Sequence, residues 1–449
     1  MKLLILLIIC FWGLNLVQAQ QLAFPEAEGF GRYALGARGV PNPEVYRVTN
    51  LDDAGTGSLR DAVSKPGRIV VFDVGGVIHI KSRIVFSGNS YIAGHTAPGD
   101  GIVVYGDGVS FSGADNIIVR YMRFYMGIGG TNGADAATVA HGSNMIFDHC
   151  SVLWGRDENF SISGSRTPPA NITIQNTLMG QGLISHSCGG LIQTIGGTSI
   201  IGCLYIDNQT RNPKVKGLNQ FINNVVYNWG GSNGYILADS EGPSWAWMEG
   251  NYFISGPGSG LLPYTRAREN FQLYAKNNYV DNNKNGILDG EDTPVESYGH
   301  TYSRNPPTMV TSLETFSRDN CATCHDISKP FLPMLQPLLS PVEAFNRVVA
   351  SVGASLPART EIDKYLIEKL LSLGTNSASF VRNENENIKG MNPLVGVYTG
   401  ENKKDTDGDG IPDEWEIANG LNPNDPSDAL KMAPNGYLNI ENYINSIKK

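Results

Sequence analysis

Short apolar runs alternate with polar corners at a nearly constant interval through the middle of this chain. The polar corner recurs at residues 148, 175, 202, 223, 249 and 276, so the intervals are 27, 27, 21, 26 and 27 residues. Each unit contains two short strands, the corner between them and a longer loop after them. One unit cannot bury its apolar face alone, whereas stacked copies bury a continuous core. The pattern predicts an all-β parallel β-helix. A β-sandwich is the alternative, but hairpin signals are scarce.

The flanking segments extend this pattern in both directions. Residues 44–124 contain β-rich runs separated by Gly and Asp, which is typical of strands joined by turns. In the repeats themselves, the corners predict a ladder of side-chain hydrogen bonds between coils. The residues predicted to form this ladder are His149, Asn176, Cys203, Asn224 and Asn277.

Ser58-Leu-Arg-Asp61-Ala-Val is compatible with one capped helical turn, and the longer helical signals lie beyond residue 300. Ser340-Pro-Val-Glu343 and Thr360-Glu-Ile-Asp363 are capping boxes or close variants, and they predict helices near 341–350 and 361–373. The second helix carries an apolar stripe, so both helices are expected to pack on the solenoid as a cover. The polar residues 376–404 indicate a linker.

Composition and charge narrow the class of ligand. The chain of 449 residues has 52 Gly, only 17% charged residues and a formal charge of −9. Such a composition fits a turn-rich β protein, and an acidic chain without a basic stripe argues against nucleic acid. A polyanionic ligand would need local Lys and Arg side chains or a bound cation.

The N-terminus is typical of a secretory signal. Lys2, an apolar run from Leu3 to Leu14 and the small-residue site Val17-Gln-Ala19 predict a signal peptide over 1–19 and a secreted protein. A membrane helix is the alternative, but the run is shorter than the roughly 20 residues that span a bilayer. No later segment is predicted to span, and we expect a monomer with a main domain over 20–375.

The cysteines allow several interpretations. Cys150, Cys188 and Cys203 fall on or beside the repeated strands, where packed thiols are expected. Cys321 and Cys324 are close enough to pair, and with His325 they also fit the attachment pattern of a c-type haem. The flanking segment lacks helices to wrap a haem, which favours a disulfide or a free pair over a redox protein.

Two loops have the spacing of an EF-hand calcium site. The first opens a module over 405–449, and its predicted ligands are Asp405, Asp407, Asp409, Ile411, Asp413 and Glu416. It resembles the calcium repeats appended to secreted bacterial enzymes. The second carries fewer charges, a plain Asn-Gly turn is its alternative, and its predicted ligands are Asp281, Asn283, Asn285, Ile287, Asp289 and Asp292.

A further set of motifs carries a resemblance to a known family. The chain resembles the pectate lyases, which are right-handed parallel β-helix proteins, over roughly 24–374. The order and spacing of these motifs are what match: Ala134-Asp135-Ala, Phe147-Asp148-His149-Cys, Trp154-Gly-Arg-Asp157-Glu158, Arg211-Asn-Pro213-Lys-Val-Lys216 and Phe221-Ile-Asn-Asn-Val-Val-Tyr-Asn-Trp229.

The resemblance implies β-elimination across a uronate, with calcium bridging protein carboxylates and the substrate carboxylate. Asp135 and Asp157 take calcium-ligand positions. The family's further acid is Ser161 here, so that Glu158 is expected to substitute for it. Asp148 matches an aspartate that is chiefly structural in the family.

The resemblance also assigns the catalytic base. Arg211 takes the position of the family's proton-abstracting arginine, with cations nearby expected to favour its neutral form. Lys216 replaces a second arginine, keeping the charge without the bidentate fork. Where relatives supply a lysine, residues 182–190 contain none, so His186 or Lys214 is expected to compensate, and Trp154 is expected to contact the pectic polysaccharide. The rival function is a non-catalytic carbohydrate-binding β-helix.

Overall fold

The architecture is an all-β parallel β-helix, as the sequence predicts. The computed structural model describes residues 20–448 except for 165–166, 232, 239–241, 261–262, 269, 299–305, 317–330, 377–379 and 387–398. Its strands in chain order are β1 (Glu44–Val48), β2 (Arg68–Phe72), β3 (Gly76–His79), β4 (Ile84–Val85), β5 (Ser90–Ala93), β6 (Ile102–Tyr105), β7 (Val109–Ser110), β8 (Ile117–Arg120), β9 (Arg123–Tyr125), β10 (Ala137–Val139), β11 (Ser143–Asp148), β12 (Ser151–Leu153), β13 (Glu158–Ser163), β14 (Ala170–Gln175), β15 (Leu178–Gly180), β16 (Cys188–Ile201), β17 (Leu204–Ile206), β18 (Lys214–Ile222), β19 (Val225–Tyr227), β20 (Tyr235–Leu237), β21 (Ser244–Glu249), β22 (Tyr252–Ile254), β23 (Tyr264–Thr265), β24 (Phe271–Lys276), β25 (Tyr279–Asp281), β26 (Glu291–Asp292) and β27 (Thr308–Met309).

Five α-helices are described beside these strands. They are α1 (Leu59–Ala62), α2 (Pro341–Ser351), α3 (Glu361–Leu371), α4 (Asp413–Asn419) and α5 (Asn439–Ser446). The two helices predicted near 341–350 and 361–373 are therefore present. Ser340 and Glu343 form the predicted capping box of α2, and the Thr360 side chain accepts from the Asp363 N–H at the start of α3.

The strands stack into three parallel ribbons. The first ribbon runs β4–β7–β10–β13–β16–β18–β20–β23, and the second runs β1–β2–β5–β8–β11–β14–β16–β18–β21–β24–β27. The long strands β16 and β18 pass through the corner between these two ribbons and belong to both. The third ribbon runs from β3 to β25 in parallel and ends on the antiparallel strand β26.

Apolar side chains from all three ribbons fill the interior. Phe111, Phe147 and Phe160 come from successive coils, and their rings meet edge to face at centroid distances of 4.8 and 4.9 Å. Edge-to-face pairs at this separation are favourable beyond the area that they bury. Ring contacts between neighbouring coils thus run through the interior of the β-helix.

A ladder of side-chain hydrogen bonds forms at the corner between the second and third ribbons, but its members differ from those predicted. From coil to coil, Asn224 donates its amide to Asn251 at 3.1 Å, Asn251 donates to Asn278 at 2.8 Å, and the Cys203 N–H donates to Asn224. The prediction was wrong for His149 and Asn277, whereas Asn176 donates its amide to Asp148 of the preceding coil at 3.0 Å but lies off this ladder. His149, Asn176 and Asn277 lie one residue earlier, at φ values of 50° to 52°. That left-handed turn directs their side chains away from the ladder.

Helices α2 and α3 cover the outer face of the third ribbon, as expected. Phe345, Ile362, Leu366 and Leu370 pack there against apolar side chains of the ribbon such as Leu178. In addition, the buried Lys369 ammonium of α3 pairs with the Asp207 carboxylate at the start of a long loop. The cover is thus tied to the β-helix by both apolar packing and an ion pair.

The residues that follow the cover lie along the β-helix where they are described. Val381 and Glu384 are buried at 4% and 3% exposure. The Val381 carbonyl accepts from the Ile184 N–H, and Glu384 accepts from the Tyr105 hydroxyl and the Ile128 N–H. This part of the predicted linker is therefore held against the loops that precede the first ribbon.

The tail beyond residue 404 also packs on the β-helix. Ile411, Ile440 and Ile444 form one buried cluster with Ile69 and Val71 of β2 and with residues of the N-terminal segment. The buried Arg38 guanidinium pairs with Glu441 of α5 at 2.8 Å. The tail thus covers the outer face of the second ribbon in its first coils.

Two predictions fall outside the described residues: the signal peptide over 1–19, and the cysteine pair Cys321 and Cys324 with His325. Cys150, Cys188 and Cys203 are free buried thiols, as expected. Among the described helices, none is both long and apolar enough to cross a membrane.

Candidate active site

Four loops meet at the corner between the third and first ribbons. They precede β10, β13, β16 and β18, which are consecutive neighbours in the first ribbon. The side chains that they bring to this corner include Asp135, Asp157, His186 and Arg211. The convergence predicted from the repeat interval is therefore what the fold produces, with Arg211 two coils from Asp157.

Three acids form a tight cluster on this corner. Asp135, Asp157 and Glu158 each offer a carboxylate oxygen within 4.8 Å of the others, and the Glu158 N–H donates to Asp135 Oδ1 at 3.2 Å. Burial raises the pKa of Glu158 to about 8; Asp135 and Asp157 add to this rise, and Arg211 opposes it. Burial also raises the pKa of Asp135. The cluster therefore concentrates more negative charge than its surroundings neutralise.

This donor set fits a hard divalent cation. Carboxylate oxygens are the ligands that calcium prefers, and a cation would offset the burial that raises these two pKa values as well as the smaller repulsion between the acids. The Ser161 hydroxyl, at the position of the family's further acid, hydrogen-bonds to Asp135 instead of supplying another charge. Glu158 is thus in place to substitute, as expected from its position in the sequence.

Arg211 faces the acids rather than other cations. Its guanidinium donates to Glu158 and lies 3.8 Å from Asp157. Burial lowers the pKa of Arg211, but Cys188 and Glu158 outweigh that effect, so the net direction is upward. Acids therefore hold the guanidinium in its charged form, and the calcium and other cations expected beside it stay a prediction. A left-handed backbone at φ 56° aims the side chain at the cluster.

His186 occupies the stretch in which relatives have a lysine. Its Nδ1 atom lies 2.8 Å from Asp157 Oδ1, while half of the side chain, 51%, stays exposed. Cys188 lies behind it as a buried thiol. His186 is therefore within reach of both the acid cluster and a ligand in solvent.

Lys214 and Lys216 stand on the outer face of β18, two register positions apart. In the ladder, Lys214 lies beside Leu191 and Lys216 beside Gln193, and the next strand across from these is β13 with Ser161 and Ser163. Lys216 also lines a cavity of about 280 Å³ together with Ser163, Gln193 and Thr194. Both lysines thus face the surface that continues from the acid cluster, with Lys216 farther from it.

Trp154 does not contact this surface, and its predicted binding role is wrong. Its side chain is fully buried, its indole Nε1 donates to Gln181 at 3.0 Å, and its ring packs edge-on against Tyr125. The backbone at Trp154 is left-handed, at φ 61°, which turns the side chain under the helical cover.

A buried amide network lies beneath the loops and was not found from the sequence. Asn208 Oδ1 accepts from Asn159 and from the Gly182 N–H, both at 2.9 Å, and Asn208 donates to Asn212 at 3.0 Å. Asn159 in turn accepts from the Gly155 N–H. Asn208 therefore connects the loops that carry Asp157, His186 and Arg211. Asparagines are common in this chain, so only the structure singles it out.

The tail contains a second acid cluster. Asp405, Asp407 and Asp409 lie together, and Asp409 also lies with Glu416 and Asp428. Asp413 was predicted as a ligand, but it accepts hydrogen bonds from Thr406 and Lys404 and belongs to neither group. Asp428 was not predicted, because it lies twelve residues beyond the end of the loop motif. The carbonyl proposed at Ile411 stays a prediction.

The weaker loop over 281–292 is a closed turn. The Asn283 and Asn285 amides donate to Asp289 at 2.8 and 3.0 Å. Ile287 and Asp292 are exposed, and Asp281 is buried on β25. No group of three acids forms here among the described residues. Calcium binding by this loop stays a prediction.

Comparison with known proteins gives consistent results. No family model matches the chain. It is 50% identical to a probable pectate lyase C of Emericella nidulans over 95% of this chain and 93% of that protein, and 50% identical to one of Aspergillus fumigatus over 95% and 94%. Among solved structures, a thermostable pectate lyase, PL 47, superposes with a TM-score of 0.52 at 13% identity, covering 75% of this chain and 98% of that one.

Proposed function

The chain belongs to the pectate lyase family, and from this premise we propose that it is a secreted, calcium-dependent polysaccharide lyase that cleaves pectate by β-elimination. One observation carries the assignment of the site. Arg211 directs its guanidinium at Asp157 and Glu158 on the outer corner of the first ribbon. This proximity supports the proposal of a base beside a cation site on an open face.

The acids hold the cation. Asp135, Asp157 and Glu158 are the proposed ligands, and Asp157 is a quarter exposed, which leaves room for a substrate oxygen. When bound, calcium neutralises the uronate carboxylate and so lowers the cost of building negative charge on the neighbouring carbon.

Arg211 carries the proton transfer. In the reaction the base removes the proton from the carbon next to the carboxylate, a carbon–carbon double bond forms, and the glycosidic carbon–oxygen bond breaks. The leaving oxygen takes up a proton from solvent. The base form of Arg211 requires that Glu158 no longer pair with it, because that pair raises its pKa.

The remaining cations bind the polymer. Lys214 and Lys216 line the outer face of β18, and His186 extends into solvent beside Asp157. Spaced cations of this kind match the repeated carboxylates of a polyuronate. Because they lie to one side of the acid cluster, they are proposed to hold sugar units away from the scissile bond, with His186 serving in place of the missing lysine.

The test is the appearance of the unsaturated uronide, followed by ultraviolet absorbance, when the protein is given polygalacturonate with calcium or with a chelator. Product should form only with calcium. Arg211→Ala should slow product formation by about 10²–10⁴, while Lys276→Ala, which removes an exposed cation on the second ribbon, should not. Binding of the polymer without product in the calcium-loaded wild-type protein would instead support the non-catalytic carbohydrate-binding function.

A further inference from the structure

The acid cluster of the tail has unpartnered oxygens in a buried setting. Glu416 is fully buried, and neither of its carboxylate oxygens has a hydrogen-bond partner. Asp409 and Asp428 are each 5% exposed, and each has one buried oxygen without a partner, as does Asp407. Buried charges without a partner are costly, so such oxygens indicate a place for a cation.

The loop itself is already shaped for this arrangement. Asp405 accepts from the Gly408 and Gly410 N–H groups at 2.8 and 3.0 Å, and Asp409 Oδ1 accepts from the Ile411 N–H. Both oxygens of Asp405 therefore accept from the loop backbone, whereas Asp409 keeps its Oδ2 without a partner. The loop is therefore held in a fixed conformation while its remaining oxygens face a common point.

Asp413 was predicted as a ligand but is directed elsewhere, and Asp428, which was not predicted, faces the other acids instead. Asp413 Oδ1 accepts from the Thr406 N–H at 2.6 Å, and Asp413 Oδ2 accepts from Lys404 and Thr406, both at 2.7 Å. Asp428 uses Oδ2 to accept from the Asn422 N–H and turns Oδ1 towards Asp409 and Glu416. Asp413, at the ninth position of the loop, is thus bonded to Thr406 and Lys404 and not directed at the other acids. Asp428, from the segment after α4, lies beside Asp409 and Glu416 in its place.

We propose that this cluster binds a divalent cation of the calcium type through Asp405, Asp407, Asp409, Glu416 and Asp428, and that the ion holds the tail on the β-helix. Because Asp428 comes from outside the loop, the ion joins the loop to the segment that leads into α5. This site is separate from the acids beside Arg211.

The contacts beside the loop explain how the ion would act on the rest of the fold. Arg47 of β1 lies 3.3 Å from Asp405 and 2.8 Å from Asp73, so it bridges the loop to the β-helix. Ile411 lies in the same buried cluster as Val71 and Ile440. An ion that fixes the loop therefore also fixes the apolar residues that the tail buries against the second ribbon.

The experiment compares three aspartate variants of the full chain: Asp428→Asn, Asp413→Asn and the control Asp425→Asn, which removes a 39% exposed acid paired with Lys431. Calcium binding is measured by calorimetry, and the midpoint of thermal unfolding is measured with and without calcium. Asp428→Asn should weaken the tail site at least about tenfold and remove most of the calcium-dependent rise in the midpoint. The other two variants should behave like the wild-type protein.

Limited proteolysis keeps the test decisive if Asp428→Asn folds poorly. In the wild-type protein, calcium should protect the 399–448 segment from cleavage, and chelation should expose it before the β-helix is cut. An Asp413→Asn variant that loses calcium binding while Asp428→Asn retains it would overturn the ligand assignment. Equal protease sensitivity of the tail with and without calcium would overturn its role in docking. Neither outcome depends on lyase activity, so failure of this proposal is distinguishable from failure of the proposed reaction.

Discussion

Two acid clusters of this protein differ in what faces them. Beside Arg211, the carboxylates of Asp157 and Glu158 meet a guanidinium and an imidazole on an open corner. In the tail, Glu416 is fully buried, and its neighbours are other carboxylates and backbone N–H groups. A cation site that is open on one side leaves room for a substrate, whereas a closed site can serve only the fold. This difference is the reason why we propose chemistry for the first cluster and stability for the second.

The largest expected effect comes from removing the base at the open cluster. Arg211→Ala should lower kcat by about 10²–10⁴, the usual range for loss of a general base. Arg211→Lys keeps the charge but cannot reproduce the planar fork, so it should also be severely impaired. The measurement is the initial rate of unsaturated product on polygalacturonate. Near-native rates for Arg211→Ala would show that the open cluster is not the catalytic centre.

A smaller effect should follow from disrupting the buried amide network beneath the loops that carry this cluster. Asn208→Ala removes the amide that connects the three loops, and the resulting misplacement of Arg211 should lower kcat by up to about 10²-fold. The matched control is Asn251→Ala, which deletes an equally buried amide of the ladder. Both variants should lose stability, by about 1–3 kcal/mol for each buried group left unsatisfied. Equal kcat losses in both would show that Asn208 acts only on stability.

Lys216→Ala should act on binding rather than on turnover. A cation at a distance from the reacting carbon can hold a uronate equally well in the ground and transition states, so KM should rise more than kcat falls. The expected rise is about fivefold to tenfold, the equivalent of about 1 kcal/mol. Steady-state kinetics on polymers of defined length would measure it, with Lys276→Ala as the control. A fall in kcat alone would place Lys216 in the proton transfer.

Removal of the closed cluster should have the smallest effect on chemistry. Truncation before Asn402 should leave turnover per folded molecule nearly unchanged, since the tail contributes no residue to the corner that carries Arg211. It should lower the Tm by at least about 5 °C, because it exposes the apolar face of β2 and its neighbours. Activity corrected for the folded fraction is the measurement. Loss of turnover in folded, truncated protein would contradict the division of roles.

The sequence was sufficient to predict the structural features that depend on the spacing of residues along the chain. The 27-residue interval was enough to infer that coils stack and that Asp135, Asp157 and Arg211 meet, because each residue of a coil has one neighbour above and one below. The capping boxes likewise located α2 and α3, since a cap is a local feature. The fold class is confirmed by the structure and by its likeness to a solved pectate lyase.

The parts that depend on side-chain direction could not be predicted. Trp154 lies in a matching motif, but a left-handed backbone turns it inward, and a one-residue shift at the same kind of turn moved the ladder from Asn277 to Asn278. Asp428 is separated from its partners by α4, so no motif links it to them. The acidic surroundings of Arg211 also arise from two other coils, which composition does not reveal.

The most direct test of the division of roles is a pair of calcium titrations on three proteins: the wild type, Asp157→Asn and Asp428→Asn. One titration follows the initial rate of product formation, and the other follows the midpoint of thermal unfolding. Asp157→Asn should raise the calcium concentration that gives half-maximal activity by at least about tenfold and leave most of the calcium-dependent stabilisation intact. Asp428→Asn should do the reverse. If each variant shifted both titrations by the same factor, the two clusters would not have separate roles, and the assignment of chemistry to one and stability to the other would be wrong.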